Sequence, residues 1–263
     1  MHNNPVSNAF IVHDLKVISE TAERLGKKAD ADRYRRQLEA TTKAYIEKFV
    51  SKKGIVAKDY QSAYIMALKF VLPEGELREL VKKNFAANIR KNGLQTGFFA
   101  TEHLLPLLVE AGETELAYDI LLQEGCPGWM YQIKCGATTT WERWDALKPD
   151  GTVNEEKMAG SGDNMVSFNH YAFGSVGEFY YQYILGIKPQ KPGFAELHFE
   201  PYPDRRLGGV SGSYLSRAGK IESSWKYEED GCHISLNTPV KSEVVLPNGQ
   251  RETVEEGTYQ WLC

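Results

Sequence analysis

The stretch ATTTWERWDAL, residues 137–147, places the carboxylate of Glu142 between two tryptophans, Trp141 and Trp144. A carboxylate flanked by indole rings loses part of its hydration, and partly dehydrated carboxylates suit proton transfer near neutral pH. Indole rings also offer apolar faces on which the C–H faces of a sugar can pack. The pattern therefore fits an acid or base at a carbohydrate site. It also fits a buried structural glutamate that pairs with Arg143 or with another arginine.

A second candidate is His170 in SFNHYAFG, residues 167–174. We expect Asn169 and His170 to open a helix, where free N–H groups and the helix dipole face outward. The imidazole could then donate a hydrogen bond to a ligand hydroxyl, or it could cap the helix or pack. A third indole, Trp129, lies in the same long segment as Trp141 and Trp144. This segment, Cys126 to Met165, shows little helical pattern. This segment is too aromatic for disorder, and its polar later part, KPDGTVNEEKMAGSGDN, is predicted to form a lid or rim.

Composition excludes several classes of function. The net charge is −4, so no basic surface for nucleic acid or membrane is expected. No apolar run approaches the roughly 20 residues of a membrane span, and the first residues lack the pattern of a secretion signal. Dinucleotide, phosphate-loop, zinc-hydrolase and calcium-loop motifs do not occur, so no cofactor and no metal site is predicted. The four cysteines show no CxxC pair, which indicates free thiols and favours a cytoplasmic location.

Apolar residues recur at helical spacing from Asn8 to about Gly125. Short turns containing glycine or proline separate the stripes, so successive helices should form antiparallel hairpins. Unequal helix lengths and the lack of a repeated consensus favour a helical toroid over a solenoid. The predicted stripes are Ile11 to Leu25, Tyr34 to Phe49, Tyr60 to Val71, Leu77 to Ile89, Leu104 to Val109 and Leu116 to Leu122.

The pattern changes after the prolines at positions 189 and 192. A seventh helix is predicted from about Val166 to Leu185. After it, short alternating runs are separated by hairpin turns, which indicates a small antiparallel β-sandwich. We therefore predict a helical domain over residues 1–189 and a β-sandwich domain over residues 190–263. The predicted strands are Glu196–Phe199, Gly219–Tyr227, Cys232–Asn237 and Ser242–Leu246.

These segments together resemble a known family. GATTTWERWDAL, SFNHYAFGSVGEFYYQYILGI and the β-region that begins near KPGFAELHFEP are similar to the C-terminal region of bacterial α-L-rhamnosidases of glycoside hydrolase family 78. The resemblance implies part of an (α/α)6 toroid followed by a small antiparallel β-sandwich. It implies hydrolysis of terminal α-L-rhamnosides with inversion, with a rhamnose-containing glycoside as the substrate. It also implies that Glu142 is the general base, that His170 contacts the sugar and that Trp141 and Trp144 line the cleft. We expect Trp129 to contribute to substrate binding as well.

One departure from the family pattern concerns the general acid. An inverting glycosidase needs a second carboxyl group on the leaving-group side, and the acidic motif that supplies it in the family has no counterpart in this chain. The chain is therefore expected to be a fragment that lacks its native N-terminus and is nearly inactive alone. Its open toroid edge should expose apolar helix faces, through which homo-oligomers could form.

Three other functions stay open at this point. The chain could be a non-catalytic carbohydrate-binding fragment, another (α/α)6 glycosidase with a different sugar preference, or a helical scaffold for protein partners. Sugar titration, a screen of glycosides and a search for an exposed apolar patch would separate them.

Overall fold

A computed structural model describes residues 3–156 and 166–263. They fall into two compact units that divide between Phe173 and Gly174. The first unit is helical. Its helices are α1 Pro5–Arg24, α2 Lys28–Phe49, α3 Gln61–Met66, α4 Glu76–Asn92, α5 Phe98–Glu110, α6 Thr114–Leu122 and α7 Trp129–Lys134.

Helices α1 and α2 form the first hairpin. The side chain of Asn4 caps α1 by accepting a hydrogen bond from the N–H of Ser7, and Gly26 ends it with a φ of 71°. The apolar residues of α1 are only partly buried. Residues such as Ala9 and Val12 are buried, whereas Ile11, Ile18 and Leu25 are 44–65% exposed. Exposed apolar residues on this helix were expected for an open toroid edge.

A buried polar network joins α3 to α4 and to the segment that follows α4. The Gln61 amide donates to Asn88 Oδ1 at 3.1 Å and to the Gly93 carbonyl at 2.9 Å. Its Oε1 accepts from the N–H of Gln95 at 2.8 Å. Because buried amide groups are costly to leave unpaired, this network fixes the path of residues 93–97 as they enter α5.

The segment after α6 is more ordered than its sequence suggests. Residues Trp129–Lys134 form the short helix α7, although little helical pattern was predicted there. Six residues are too few for a helical period to be recognised. An isolated bridge pairs Leu147 with Val153 at the start of the predicted lid. The remainder of that predicted lid, residues 157–164, lies outside the described residues.

The second unit begins with a short irregular helix. A 3₁₀ turn, Ala172–Ser175, leads into α8 Val176–Phe179, which continues as a π-helical turn, Tyr180–Ile184. The prediction that this helix starts near Val166 is wrong. Residues 166–171 form no helix, and the main chain of Ser167 and His170 is hydrogen-bonded to that of Glu142 and Thr140.

Eight strands in the described residues form two four-stranded sheets. One has the order β1-β2-β6-β7, in which β2 and β6 are parallel, and the other has the antiparallel order β3-β4-β5-β8. The predicted architecture, a helical domain followed by a small β-domain, is confirmed. The strands are β1 Ile187–Pro189, β2 Leu197–Phe199, β3 Gly209–Ser216, β4 Gly219–Glu228, β5 Gly231–Thr238, β6 Ser242–Val245, β7 Arg251–Val254 and β8 Gly257–Leu262.

Aromatic and polar contacts tie the second unit together. Phe199 of β2 and Trp261 of β8 stack across the two sheets, with ring centroids 6.0 Å apart. The Trp225 indole donates to the Ile184 carbonyl at 2.7 Å, so the helix end is anchored in the second sheet. Packing therefore divides the chain earlier than the change of sequence pattern at residue 190, and the domain boundary placed there stays a prediction. None of the helices in the described residues is long and apolar enough to cross a membrane.

Candidate active site

A depression of about 490 Å³ lies in the first unit beside Glu142. Four stretches of chain converge on it: the entry to α5, the approach to α7, the WERWD segment and the end of the first unit. The cis peptide bond between Cys126 and Pro127 lies in the second of these. The lining residues are Gln95, Thr96, Gly97, Phe98, Cys126, Pro127, Glu142, Arg143, Trp144, Asp145 and Phe173.

Glu142 is 4% exposed and lines this depression. Its N–H donates to the carbonyl of Ser167, and its Oε2 accepts from the N–H of Ser167, each at 2.9 Å. The carboxylate is thus fixed through a main-chain donor. Residues 3–156 and 166–263 provide no hydrogen bond to its other oxygen, Oε1. The side chain therefore has one anchored oxygen and one that these residues leave open.

The threonines that precede Glu142 hold the same two segments together. Thr139 Oγ1 donates to the Phe168 carbonyl, and Thr140 Oγ1 donates to the His170 carbonyl at 2.7 Å. The N–H of His170 in turn donates to the Thr140 carbonyl at 2.9 Å. Each of these two hydroxyls therefore donates its proton to a main-chain carbonyl of the second segment.

Arg143 forms its ion pair with Asp145. The guanidinium is 7% exposed, and its Nε and Nη2 donate to the two oxygens of Asp145 at 2.7 and 3.0 Å. Its Nη1 donates to the carbonyl of Glu156 at 2.7 Å. The hydrogen bond from Arg143 holds the pKa of Asp145 below its ordinary value. Arg143 is therefore paired with Asp145 and not with Glu142, in contrast to the alternative of a structural Glu142–Arg143 pair.

The carboxylates of the depression thus differ in setting. Among the described residues that line it, the only carboxyl group besides that of Glu142 belongs to Asp145. A general acid must carry a proton at the working pH. The lowered pKa of Asp145, caused first by its hydrogen bond from Arg143, makes it unsuited to that role.

The indole of Trp144 forms one wall of the depression. Its ring stacks on Phe173 with centroids 3.8 Å apart and planes 10° apart, and its Nε1 donates to the Thr96 carbonyl at 3.0 Å. Trp129 packs perpendicular to Trp144, with centroids 5.0 Å apart. The Trp129 Nε1 donates to the Phe173 carbonyl at 2.9 Å. Trp129 is 5% exposed, so it supports the wall from inside the unit.

Trp141 packs in the hydrophobic core and does not line the depression. It is 2% exposed and packs in a hydrophobic cluster with Tyr131 and Ala146, and its ring contacts the edge of Phe168. Its N–H donates to the side chain of Gln132 at 3.2 Å. The two tryptophans around Glu142 therefore have different surroundings: Trp144 lines the depression and Trp141 belongs to the core. Contact of Trp141 or Trp129 with a sugar stays a prediction.

His170 does not line the depression itself but stacks on Phe98, which does. Its imidazole stacks between Phe98, at 4.6 Å, and Tyr171, at 5.2 Å. Nδ1 accepts a hydrogen bond from the N–H of Ala172 at 3.2 Å. A neutral imidazole in this setting carries its proton on Nε2, so the ring can donate a hydrogen bond from that atom. Phe98 lines the depression directly.

Sequence analysis missed several residues of the site. Phe98 was not singled out, and Phe173 was included only as part of the predicted seventh helix. Asp145 carried no signal beyond its place three residues after Glu142. Ser167 contributes through its main chain, and no side-chain pattern reveals such a contact.

One cluster in the described residues has the spacing of metal ligands, Glu228, Asp230 and His233 in the second unit. All three are exposed at the β4–β5 turn, and His233 is hydrogen-bonded to Asp230 at 2.8 Å. The residues that line the depression include none of them.

The chain is similar to known proteins over nearly its whole length. Residues 1–184 match the model of the bacterial α-L-rhamnosidase six-hairpin glycosidase domain, and residues 186–260 match that of the bacterial α-L-rhamnosidase C-terminal domain. An α-L-rhamnosidase of Alteromonas sp. (strain LOR) is 36% identical over 248 residues, which are 92% of this chain and 26% of that protein.

Solved structures of α-L-rhamnosidases are also similar to this chain. The Streptomyces avermitilis α-L-rhamnosidase complexed with L-rhamnose matches with a TM-score of 0.87 and 31% identity, over 96% of this chain and 26% of that one. The native Aspergillus terreus α-L-rhamnosidase matches with a TM-score of 0.87 and 29% identity, over 96% and 29%. The chain spans about a quarter of the length of the curated relatives it matches. With both family models matched in order along its length, the chain belongs to the bacterial α-L-rhamnosidase family.

Proposed function

We propose that this chain provides the general-base side of an active site that hydrolyses terminal α-L-rhamnosides with inversion. The observation that carries the proposal is the setting of Glu142. Its carboxylate lines an aromatic depression, one of its oxygens is anchored by the N–H of Ser167, and the nearby guanidinium is occupied by Asp145. Membership of the α-L-rhamnosidase family supports the choice of substrate.

In this mechanism Oε1 of Glu142 takes a proton from a water molecule, whose oxygen forms the bond to the anomeric carbon. The bond between that carbon and the leaving oxygen breaks at the same time, and a general acid protonates the leaving oxygen. Because water attacks from the opposite face, the sugar product has the inverted configuration. Anchoring Oε2 keeps the carboxylate directed at the water during this step.

The aromatic residues give the depression its selectivity for an uncharged sugar. Trp144 presents a ring face held in place by Phe173 and by its own hydrogen bond to Thr96. A face fixed in this way can pack on the C–H face of a pyranose with little loss of side-chain entropy. Nε2 of His170 would donate to a sugar hydroxyl, which is the role that the family resemblance implies.

The general acid is expected from a part of the enzyme outside this chain. The second carboxyl group in the lining of the depression belongs to Asp145, which its ion pair keeps deprotonated. General acid catalysis typically contributes about 10²- to 10⁴-fold in rate, so the chain alone should be slower than the complete enzyme by about that factor.

The test uses the full-length enzyme that contains this chain and an aryl α-L-rhamnoside. Glu142→Gln should lower kcat by about 10²- to 10⁴-fold, since an amide cannot accept the proton from water. Proton NMR of the first sugar released should show the β-anomer. Glu47→Gln is the matched control, because Glu47 is an exposed residue of α2 whose ion pair with Lys43 measures 3.9 Å.

Azide provides a sharper form of the same experiment. Glu142→Ala leaves space for a small anion that needs no deprotonation, so added azide should restore the rate and yield the β-rhamnosyl azide. Undiminished hydrolysis by Glu142→Gln, or an α-configured first product, would show that Glu142 is not the base of an inverting reaction.

A further inference from the structure

The outer face of the second sheet carries a row of uncharged polar side chains. Strand register pairs Ser211 with Ser224, Ser224 with Ser235, and Ser235 with Gln260. Side chains alternate between the two faces of a strand, and the neighbours of these residues, such as Trp225 and Ile234, are buried in the sandwich. The four polar side chains therefore form one line across all four strands, on the face that points away from the core. We refer to them as the serine row.

The serine row forms the floor of a trough. Rows of longer side chains flank it, with Lys226 and His233 on one side and Glu222 and Asn237 on the other. Two depressions, of about 720 and about 470 Å³, lie along this face, and both include the three serines of the row. Neighbouring strands lie about 4.8 Å apart, so the row extends over roughly 14 Å, which is the length of a short oligosaccharide.

The polar groups on the floor are available to a ligand. Within the described parts of the chain, no hydrogen bond joins the hydroxyls of Ser211, Ser224 and Ser235 or the amide of Gln260 to another protein group. Each hydroxyl can both donate and accept, and the amide does both through different atoms. Serine is also a poor strand former compared with threonine or valine, so three serines in register are not explained by strand propensity.

The charges beside the trough are already paired with one another. Lys226 Nζ lies 2.9 Å from Glu228, and His233 Nε2 lies 2.8 Å from Asp230. Glu222 accepts from the side chain of Asn237 at 3.0 Å and is ion-paired with a neighbouring lysine. A ligand on the floor therefore meets neutral donors and acceptors, which favours an uncharged polyhydroxyl compound over an anion or a cation.

We infer that the serine row is a binding site for an uncharged oligosaccharide, separate from the Glu142 depression. Its hydroxyls and amide would hydrogen-bond successive sugar rings laid across the four strands. Such a site would hold a saccharide chain to the enzyme independently of cleavage and would raise its local concentration. The choice of a rhamnose oligosaccharide as the probe rests on the proposed function.

NMR titration of the 263-residue chain with α-linked L-rhamnotetraose tests the inference. The titration uses the Glu142→Gln variant as its background so that the probe is not consumed. Amide shifts should change at Ser211, Ser224 and Ser235. Ser224→Tyr, which fills the trough, should weaken this binding by about tenfold or more, the equivalent of one to two lost hydrogen bonds. Thr253→Tyr, at an exposed position of β7 in the other sheet, is the matched control and should leave it unchanged.

A second variant guards against misfolding. Ser235→Val removes one hydroxyl while keeping a residue that strands favour, and it should weaken binding by about two- to tenfold. Unchanged shifts at the serine row, or equal affinity in Ser224→Tyr and the control, would overturn the inference. Hydrolysis by the full-length enzyme is measured separately. A chain that binds at the row while the enzyme fails to cleave rhamnosides would refute the proposed function alone.

Discussion

Replacing Asp145 by asparagine would test how the guanidinium beside the candidate base is held. Arg143 is 7% exposed, and both oxygens of Asp145 accept from it, at 2.7 and 3.0 Å. Asparagine keeps one acceptor and turns the other into an NH₂ group that faces the donors of Arg143. The side chain of Asn154 donates to Asp145 Oδ2 at 2.7 Å, and this hydrogen bond survives only if the asparagine oxygen occupies the Oδ2 position.

The magnitude follows from these contacts. A hydrogen bond to a charged group contributes about 1.5–3 kcal/mol, but Asp145 is 46% exposed and water replaces part of what is lost. We therefore expect the free energy of unfolding to fall by about 1–2 kcal/mol at pH 7. Because the pKa of Asp145 is lowered in the folded chain, its contribution is present above the ordinary value of 3.8 and is lost as the pH falls below it.

Urea denaturation of the chain and of Asp145→Asn at pH 7, 5 and 3 measures this effect. The difference between the two proteins should be similar at pH 7 and 5 and should shrink at pH 3. Asp150→Asn serves as the control, since Asp150 is exposed and its bonds to Thr152 need one oxygen only, which asparagine retains. A difference that persists undiminished at pH 3, or none at pH 7, would refute the assignment of Asp145 as the ionised partner of Arg143.

Two further predictions concern the second unit. Gly186→Ala should lower the free energy of unfolding by several kcal/mol, because the new Cβ would lie 2.4 Å from the nitrogen of Pro201 at a φ of 74°. Gly249→Ala, at a φ of 86° in open space, should lower it by about 1–2 kcal/mol. Thermal unfolding measures both variants, and equal losses would contradict the close contact at Gly186. Glu200→Gln should destabilise the chain most between about pH 4.5 and 6.5. The hydrogen bond with His198 lowers the pKa of Glu200 to about 2 and raises that of His198, so the stabilisation is lost as the pH falls towards 2 and as it rises through the raised pKa of His198; a pH-independent loss in urea denaturation would argue against it.

Long periodic elements were predictable from the sequence, and short ones were not. Helices such as α2 and α4 run over 22 and 17 residues, with glycines or acidic residues at their ends, and their stripes locate them well. Strand β3 has the sequence GVSGSYLS, in which small residues hide the alternation. Helix α7 spans less than two turns. Their conformations depend on tertiary partners, so the local pattern carries little information about them.

The apolar stripe of α1 shows what a helical period predicts and what it does not. Its period was predicted correctly, but the period fixes only which residues share a face, and the neighbouring helices decide which face is covered. The structure buries Ala9 and Val12 and leaves Ile11 and Ile18 half exposed. Homo-oligomerisation through this face and a cytoplasmic location stay predictions.

The candidate base illustrates why part of a site can be found from sequence and part cannot. Glu142 could be identified as a candidate because the function proposed for it depends on its own side chain. The group that fixes it is the N–H of Ser167, which every residue except proline possesses, so the function places almost no demand on the residue type at that position. What does constrain the neighbourhood is the pairing of the two segments through Thr139, Thr140 and the main chain of residues 167–170. The two threonines therefore hold residues 167–170 beside Glu142, while the contact to the carboxylate itself comes from the main chain of Ser167. Their role can be understood only when residues 167–170 are known to lie beside them.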